Sequence, residues 1–336
     1  MQPFIRHITG VIALLIGLAG DTPAADVDPD LLRLLMSSQE TNSQRYSSGR
    51  MSLTYEDRDE DLSRRTVVGG EFTWDGNRVF SHFDRTVYVL GTDTVKEREV
   101  DVRRVQTPEV RYRFEPRHEL MTKMRPEDRK FLSDDYRLLP HERWFRPGTA
   151  GRRAFLEMLD PAFAKENVTR YRVSRGEGHR AEAVREYKIG GVMRCVYDLS
   201  QEGNLVQYDT QPGNIPQDVP AFSLAEAGTF TWVPDGDGHF RLGEMVIEDK
   251  DGSTVRRRQH LVITKFDPHP QLEASQFTEV ALDMPLGTSM EDQTKTKHVR
   301  YRYGGAAPKP LGDEALDKLA EAIQTRGFAQ PDRGGK

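Results

Sequence analysis

Much of this chain alternates apolar with charged residues, and that period of two constrains its fold more than any other feature. Met51, Leu53 and Tyr55 alternate with Ser52, Thr54 and Glu56, and Val110, Tyr112 and Phe114 alternate with Arg111, Arg113 and Glu115. The stretch Val168-Thr169-Arg170-Tyr171-Arg172-Val173 follows the same plan. Successive side chains of a strand point to opposite faces, so each segment makes a strand with one buried and one wetted side. A parallel sheet covered by helices shows near-continuous apolar runs instead. The expectation is therefore a mainly antiparallel β protein with helices (α+β). Arginine recurs on its wet face, where charge discourages edge-to-edge association.

Turn signals divide the strands at short intervals: Gly69-Gly70, Asp75-Gly76-Asn77, Gly176-Glu177-Gly178, Gly190-Gly191, Glu202-Gly203-Asn204 and Asp249-Lys250-Asp251-Gly252. Each can connect neighbouring strands as a hairpin. Helical spacing is confined to a few places. Leu31, Leu34 and Leu35 follow Asp28-Pro29, a capping residue and a first-turn proline, and predict a helix to about Ser43. Further helices are expected over 126–139 and 151–159. A linker at 304–310 precedes an amphipathic helix over 311–327, carrying Leu316, Leu319, Ala320 and Ile323, and a flexible tail at 328–336.

The first residues combine Arg6, an apolar run from Ile8 to Ala19 and the small-residue stretch Thr22-Pro23-Ala24-Ala25. This is the pattern of a secretory signal peptide over 1–25, cleaved after Ala24 or Ala25. The run falls short of the about 20 residues a membrane-spanning helix requires, so no transmembrane segment is expected in the mature chain. No cysteine follows the run to accept a lipid, and the expected location is the periplasm. Cys195, the one cysteine, has no partner for a disulfide; in VMRCVYDL it reads as a buried strand residue.

Charge and motifs exclude several functions. The 53 acidic and 48 basic residues are intermixed, giving a net charge of -5 and no basic patch for nucleic acid. Local signatures of zinc proteases, serine hydrolases, dithiol enzymes and P-loop proteins are missing. Gly176-Glu177-Gly178-His179-Arg180-Ala181 matches a dinucleotide loop in form, but an arginine-alternating strand precedes it and only about two helical turns fit before Gly190. Asp235 and Asp237 have the first spacings of a calcium loop; His239, Phe240 and Val246 then occupy positions that need oxygen ligands or glycine. No cofactor, metal or catalytic residue is assigned. Enzyme chemistry from dispersed carboxylates and histidines ranks last among the readings, and His82 shows no partner.

The aromatic residues carry more information. GGEFTWDGNRVFSHFD at 69–84 has a partial echo, GTFTW, at 228–232. Phe72 and Trp74 share one strand face, as do Phe230 and Trp232. Such side chains most often fill a core; the other reading makes these four the lining of an apolar cavity.

Taken in order, the exported start, first helix, MSLTYE, the 69–84 hairpin, CVYDLSQEGNLVQYD and the segment from Glu244 to Asp292 resemble bacterial periplasmic lipoprotein carriers of the LolA-like superfamily. The resemblance spans about 28–303, and a single domain is assigned to 26–303. It implies a strongly curved, open half-barrel with helices covering the concave side, around an apolar cavity that takes acyl chains. The implied partner is a lipid or lipoprotein acyl chain. The alternative is an envelope interaction module with a solid core, whose sheet edges or C-terminal helix bind another protein.

Overall fold

The computed structural model describes residues 24–125, 159, 168–188, 190–212, 225–294 and 299–304. Residues 1–23, the helix expected over 126–139, all but Leu159 of the one expected over 151–159, and the linker, C-terminal helix and tail from 305 onward lie outside this set. Among the described residues the protein is mostly strand, with one long helix. In chain order these are β1 (Ala24–Val27), α1 (Pro29–Arg45), β2 (Ser48–Asp59), β3 (Arg64–Asp75), β4 (Arg78–Val89), β5 (Val95–Gln106), β6 (Arg111–Glu115) and β7 (Leu120–Met124). There follow β8 (Val168–Arg175), β9 (Arg180–Tyr187), β10 (Val192–Asp198), β11 (Asn204–Gln211), β12 (Ala225–Pro234), β13 (Phe240–Asp251), β14 (Thr254–Asp267), β15 (Ser289–Asp292) and β16 (Val299–Arg302).

The chain divides into two compact units, the first comprising the described parts of Met1–Gly76, Arg85–Arg98 and Asp134–Pro270. Its sheet runs in the order β1-β8-β9-β10-β11-β12-β13-β14-β2-β3. The sheet is open, not a closed barrel, and mixed: β1 lies parallel to β8, and the other pairings follow antiparallel. Ala24 and Ala25, between which or after which the expected signal cleavage falls, are the first two residues of β1. In β2 the alternation holds along the strand, with Met51, Leu53 and Tyr55 buried and Arg50, Thr54 and Arg58 exposed.

Asp28 caps α1: its Oδ1 accepts from the backbone N–H groups of Asp30 (3.1 Å) and Leu31 (3.0 Å), satisfying two donors that the first helical turn leaves orphaned. Leu31 and Leu35 are fully buried, whereas Leu34 is 47% exposed and lies off the apolar stripe. In its last two turns the helix is fastened to the β10–β11 turn, where Gln39 donates to the Gly203 carbonyl and Asn42 to Asn204 Oδ1.

Gly69 and Gly70 correct one expectation. They are not a turn but pair with Thr54 and Leu53 in the middle of β3. The hairpin turns earlier, where Asp59 Oδ1 accepts from the Leu62 N–H and Ser63 donates to the Glu60 carbonyl. A glycine pair fits a strand interior when neighbouring residues supply a better turn. Asp249, Lys250 and Asp251 likewise belong to β13, with Gly252 at positive φ after them. Asp75-Gly76-Asn77, Gly176-Glu177-Gly178 and Glu202-Gly203 are turns as expected, with Gly76, Gly178 and Gly203 in the left-handed region.

The second unit comprises the described parts of Asn77–Asp84, Glu99–Ser133 and Gln271–Lys336. Strand β6 pairs antiparallel with β5 and β7, β15 adds parallel to β7, and β16 closes on β15. Its core gathers Val105, Phe114, Met121, Leu282, Met284 and Met290. Arg103 braces it, donating to the Leu282 carbonyl and to Asp101.

Candidate functional site

In the first unit one face of the sheet is apolar through its middle. Tyr55, Leu261, Met245 and Phe230 are successive cross-strand partners on β2, β14, β13 and β12, and all four are buried. Leu53 and Ile263 continue that surface. Cross-strand pairs of this kind are the unit of sheet stabilisation.

The structure places Phe72, Trp74 and Phe230 in packed, buried positions on this surface, and Trp232 half-buried. Trp74 lies opposite Gly49, and a Cβ at Gly49 would stand 2.3 Å from its ring atom Cζ2. The indole therefore occupies the space a side chain would need. Its Nε1–H donates to the Tyr46 carbonyl at 2.9 Å, the satisfaction a buried indole requires. The echo at 228–232 repeats both devices. Gly228 lies opposite Tyr208, whose ring fills the place of the missing Cβ and stacks on Phe230 at 5.9 Å. Trp232 Nε1–H donates to the Leu205 carbonyl at 2.7 Å. Both indoles are thus anchored by a backbone carbonyl, while the glycine slot is filled by Trp74 itself in the first hairpin and by Tyr208 in the second. Nothing in the five-residue echo announces the carbonyls, which lie 28 and 27 residues upstream.

Histidine and acidic residues meet where α1 ends. Tyr46 donates its hydroxyl to Asp235 Oδ2 at 2.7 Å, and Asp235 Oδ1 accepts from the N–H groups of Asp237 and His239. Glu202 receives His239 Nδ1 at 2.7 Å on one oxygen, with Arg45 and the Phe240 N–H on the other. Burial and the Asp235 carboxylate push the Tyr46 phenol well above its usual range. Burial works to raise the Asp235 carboxyl, but the Tyr46 hydroxyl and the two N–H donors outweigh it and hold the carboxyl below its ordinary value. Glu202 is held low in the same way, with His239 and Arg45 outweighing burial. Every carboxylate oxygen here is engaged and the phenol is a poor nucleophile. The cluster ties α1 to two turns instead of presenting a reactive group.

The remaining candidates settle plainly. Cys195 is fully buried, and burial pushes its thiol up to about 12, so it is not a nucleophile at neutral pH. His82 has a partner after all: Nε2 lies 2.6 Å from Asp101 Oδ1, a carboxylate shared with Arg103. His260 meets Glu244 and His269 meets Asp237. No group of three metal-ligating side chains occurs among the described residues. Gly176-Glu177-Gly178 is the β8–β9 hairpin, not a dinucleotide loop. No helix among the described residues is long and apolar enough to cross a membrane.

Among the described residues the first unit is thus an open, strand-rich sheet with one apolar face. Comparison with solved structures returns a LolA superfamily protein from Nitrosomonas europaea, at 8% identity and a TM-score of 0.36, covering 72% of this chain and 98% of that one. A putative outer membrane lipoprotein-sorting protein domain from Vibrio parahaemolyticus matches at 10% identity and 0.35, covering 75% and 97%. A DUF1329 family protein from Desulfovibrio piger matches at 10% and 0.37, covering 75% and 98%. The LolA-like group that the sequence resembles is thus represented among its structural neighbours. No protein-family model matches the sequence, and no curated protein does.

Proposed function

We propose that the protein is an exported, periplasmic carrier that binds an apolar or lipid-like ligand against the inner face of its open sheet, without chemistry. One observation carries the reading: the apolar surface is continuous across β12, β13, β14 and β2, while the sheet does not close on itself. Its residues are 0–5% exposed, so a ligand reaches them by displacing what covers the face, exchanging one apolar contact for another. Its methionines, Met51 and Met245, adapt to irregular partners. The cavity-lining role of Phe72, Trp74, Phe230 and Trp232 narrows accordingly: the first three act as floor, and Trp232 as the most accessible of the set.

Native mass spectrometry of protein purified from a periplasmic fraction tests this. The expected result is a reproducible added mass that organic extraction removes and identifies as lipid. A protein that is empty, and that takes up no fatty acid or phospholipid after delipidation, overturns the carrier reading. Export is checked by N-terminal sequencing of the same material, with a first residue of Ala25 or Asp26 expected.

The dense packing of Trp74 against Gly49 and Phe266 favours a second reading, an envelope interaction module with a solid core. That reading expects removal of residues 306–336 to abolish capture of a partner while leaving thermal unfolding of the remainder unchanged.

A further inference from the structure

The ladder between β11 and β12 stops short. It runs from Thr210 opposite Glu226 to Gln207 opposite Thr229, although β11 begins at Asn204 and β12 continues to Pro234. Bulges flank the point of parting on both sides, one between Val196 and Tyr197 where β10 meets β11, the other between Thr231 and Trp232 where β12 meets β13. Bulges bend a strand and re-aim its side chains, and here they open a fork. The Trp232 indole bridges it, donating to the Leu205 carbonyl at 2.7 Å. Beside the indole lies a cleft of about 530 Å³, within the about 300–1,000 Å³ of small-molecule sites. Its β9 wall is made by Arg180 and Glu182, which alternate with the buried Ala181 and Ala183, so the cleft lies on the wetted side of the sheet.

The charged groups of the cleft are committed to one another. Glu182 takes Nε and a terminal nitrogen of Arg194 at 3.3 and 2.6 Å, and this pairing holds the Glu182 carboxyl below its ordinary value against the effect of burial. Arg180 lies 3.6 Å from Asp198 Oδ2, and Asp198 Oδ1 accepts from the Ser200 N–H and hydroxyl. Charges inside the cleft thus cancel in pairs, and Glu177 on its exposed rim is the one left over. The neutral polar groups are uncommitted: the side chains of Gln201, Gln207 and Thr231 make no hydrogen bond among the described residues. These facts narrow the ligand. A phosphate or another strong anion would have to take a guanidinium from its carboxylate. A saturated chain would strip water from two amides and a hydroxyl without replacing their bonds. A neutral ring edged with hydroxyls, with C–H groups on one side, avoids both costs. Its C–H side packs on the indole, and its hydroxyls, donors and acceptors at once, match amide, guanidinium and carboxylate alike.

We propose that the fork between β11 and β12 is a binding site for an uncharged sugar, supplied by a free oligosaccharide, with one ring packed on Trp232 and its hydroxyls on Gln201, Gln207 and the Arg194–Glu182 pair. The site lies on the opposite side of the sheet from the apolar surface and stands independently of the carrier reading. Its parts are set before a ligand arrives. The Leu205 carbonyl fixes the indole and the two bonds to Glu182 fix the Arg194 guanidinium, which lowers the ordering cost of binding.

Titration of isotope-labelled protein, followed by proton–nitrogen correlation spectra, tests the proposal. The chain holds three tryptophans, and the indole signal lost in Trp232→Phe is the one that reports on the cleft. The probes are the neutral disaccharides cellobiose, maltose and N,N′-diacetylchitobiose, with digalacturonate as a charged counterpart. At least one neutral disaccharide is expected to shift that signal saturably by about 10 mM, where a millimolar site is nearly filled, and digalacturonate to bind at least about tenfold more weakly. Gln207→Ala, at an exposed position with no bond to lose, is expected to weaken the bound disaccharide by about two- to tenfold, the worth of one hydrogen bond, and to leave distant signals in place. No shift from any of the three neutral disaccharides, or digalacturonate bound as tightly as the best of them, overturns the sugar assignment. Unchanged affinity in Gln207→Ala overturns the placement of the ring. Methyl glucoside and octyl glucoside, the latter kept below its micelle concentration, separate the two sources of a sugar: affinities within about threefold support a free oligosaccharide, and a gain of about tenfold or more from the octyl chain overturns that source in favour of a lipid head group.

Discussion

Replacing Gly49 by alanine tests whether the Trp74 indole is locked in place. The new Cβ would lie 2.3 Å from Cζ2 and 2.5 Å from Cη2 of the ring, so the indole has to retreat by more than an ångström. It has little room, being 2% exposed, anchored through Nε1 to Tyr46 and tilted against Phe266. Overpacking of this kind costs about 1–3 kcal/mol, and weakening the indole hydrogen bond about 1 more. The lower chain entropy of alanine returns about 0.5 kcal/mol, leaving a net loss of about 1.5–3.5 kcal/mol. The companion change Trp74→Phe removes the fused ring to which both clashing atoms belong. In that background Gly49→Ala is expected to cost under about 0.5 kcal/mol, a coupling of roughly 2 kcal/mol. Urea unfolding followed by far-ultraviolet circular dichroism measures all four proteins. Equal costs of Gly49→Ala in both backgrounds would refute the argument, because the glycine would then be needed for something other than the indole.

Three further outcomes follow from charge and burial. The Asp249 carboxyl is raised to about 6 from an ordinary 3.8, so its contribution is fully present below pH 4 and is lost as pH rises through 6; Asp249→Asn is therefore expected to be about 1 kcal/mol more stable than the parent at pH 7.5, after allowance for its exposed part, and no more stable at pH 4. Asp57 is 3% exposed and holds Arg257 through two bonds, so Asp57→Asn should lower stability by about 2–4 kcal/mol, read as an earlier urea midpoint; a midpoint unchanged within error would show the pair is not sealed from water. Cys195 is buried with its thiol raised, and iodoacetamide at pH 8 is expected to leave it unmodified in native protein and label it fully in urea, as scored by intact mass.

Much of the sheet could be read directly because its signals are local. The alternation around Met51 to Tyr55 and the turn at Asp75-Gly76-Asn77 are properties of a few consecutive residues, and both appear where expected. Gly69 and Gly70 misled because a turn signal competes with neighbouring turns, and the carboxylate of Asp59 won. Beyond reach were facts set by register. Bulges between Thr231 and Trp232, and between Asp249 and Lys250, shift which residues stand opposite. Consequently the alignment of Glu226 with Asp249 and Arg257 had no trace in their sequence spacing. The same holds for His82, whose partner Asp101 belongs to the next strand. The four aromatic residues were found by their spacing, but the Gly49 slot of Trp74 and the carbonyl anchors of the two tryptophans depend on neighbours brought together only by folding.

The pairing of β2 with β14 joins segments far apart in the chain, and it is the step expected to limit the rate of folding. Asp57 meets Arg257 across 200 residues of chain, and the apolar face is incomplete until that closure occurs. Contacts of such long range fold slowly, because loop-closure entropy is lost before any burial compensates. A chain emerging from its N-terminus would hold β2 without its later partner until nearly all of the first unit had been made. Strand β2 can pair early with β3, but it is β14 whose arrival completes the apolar face.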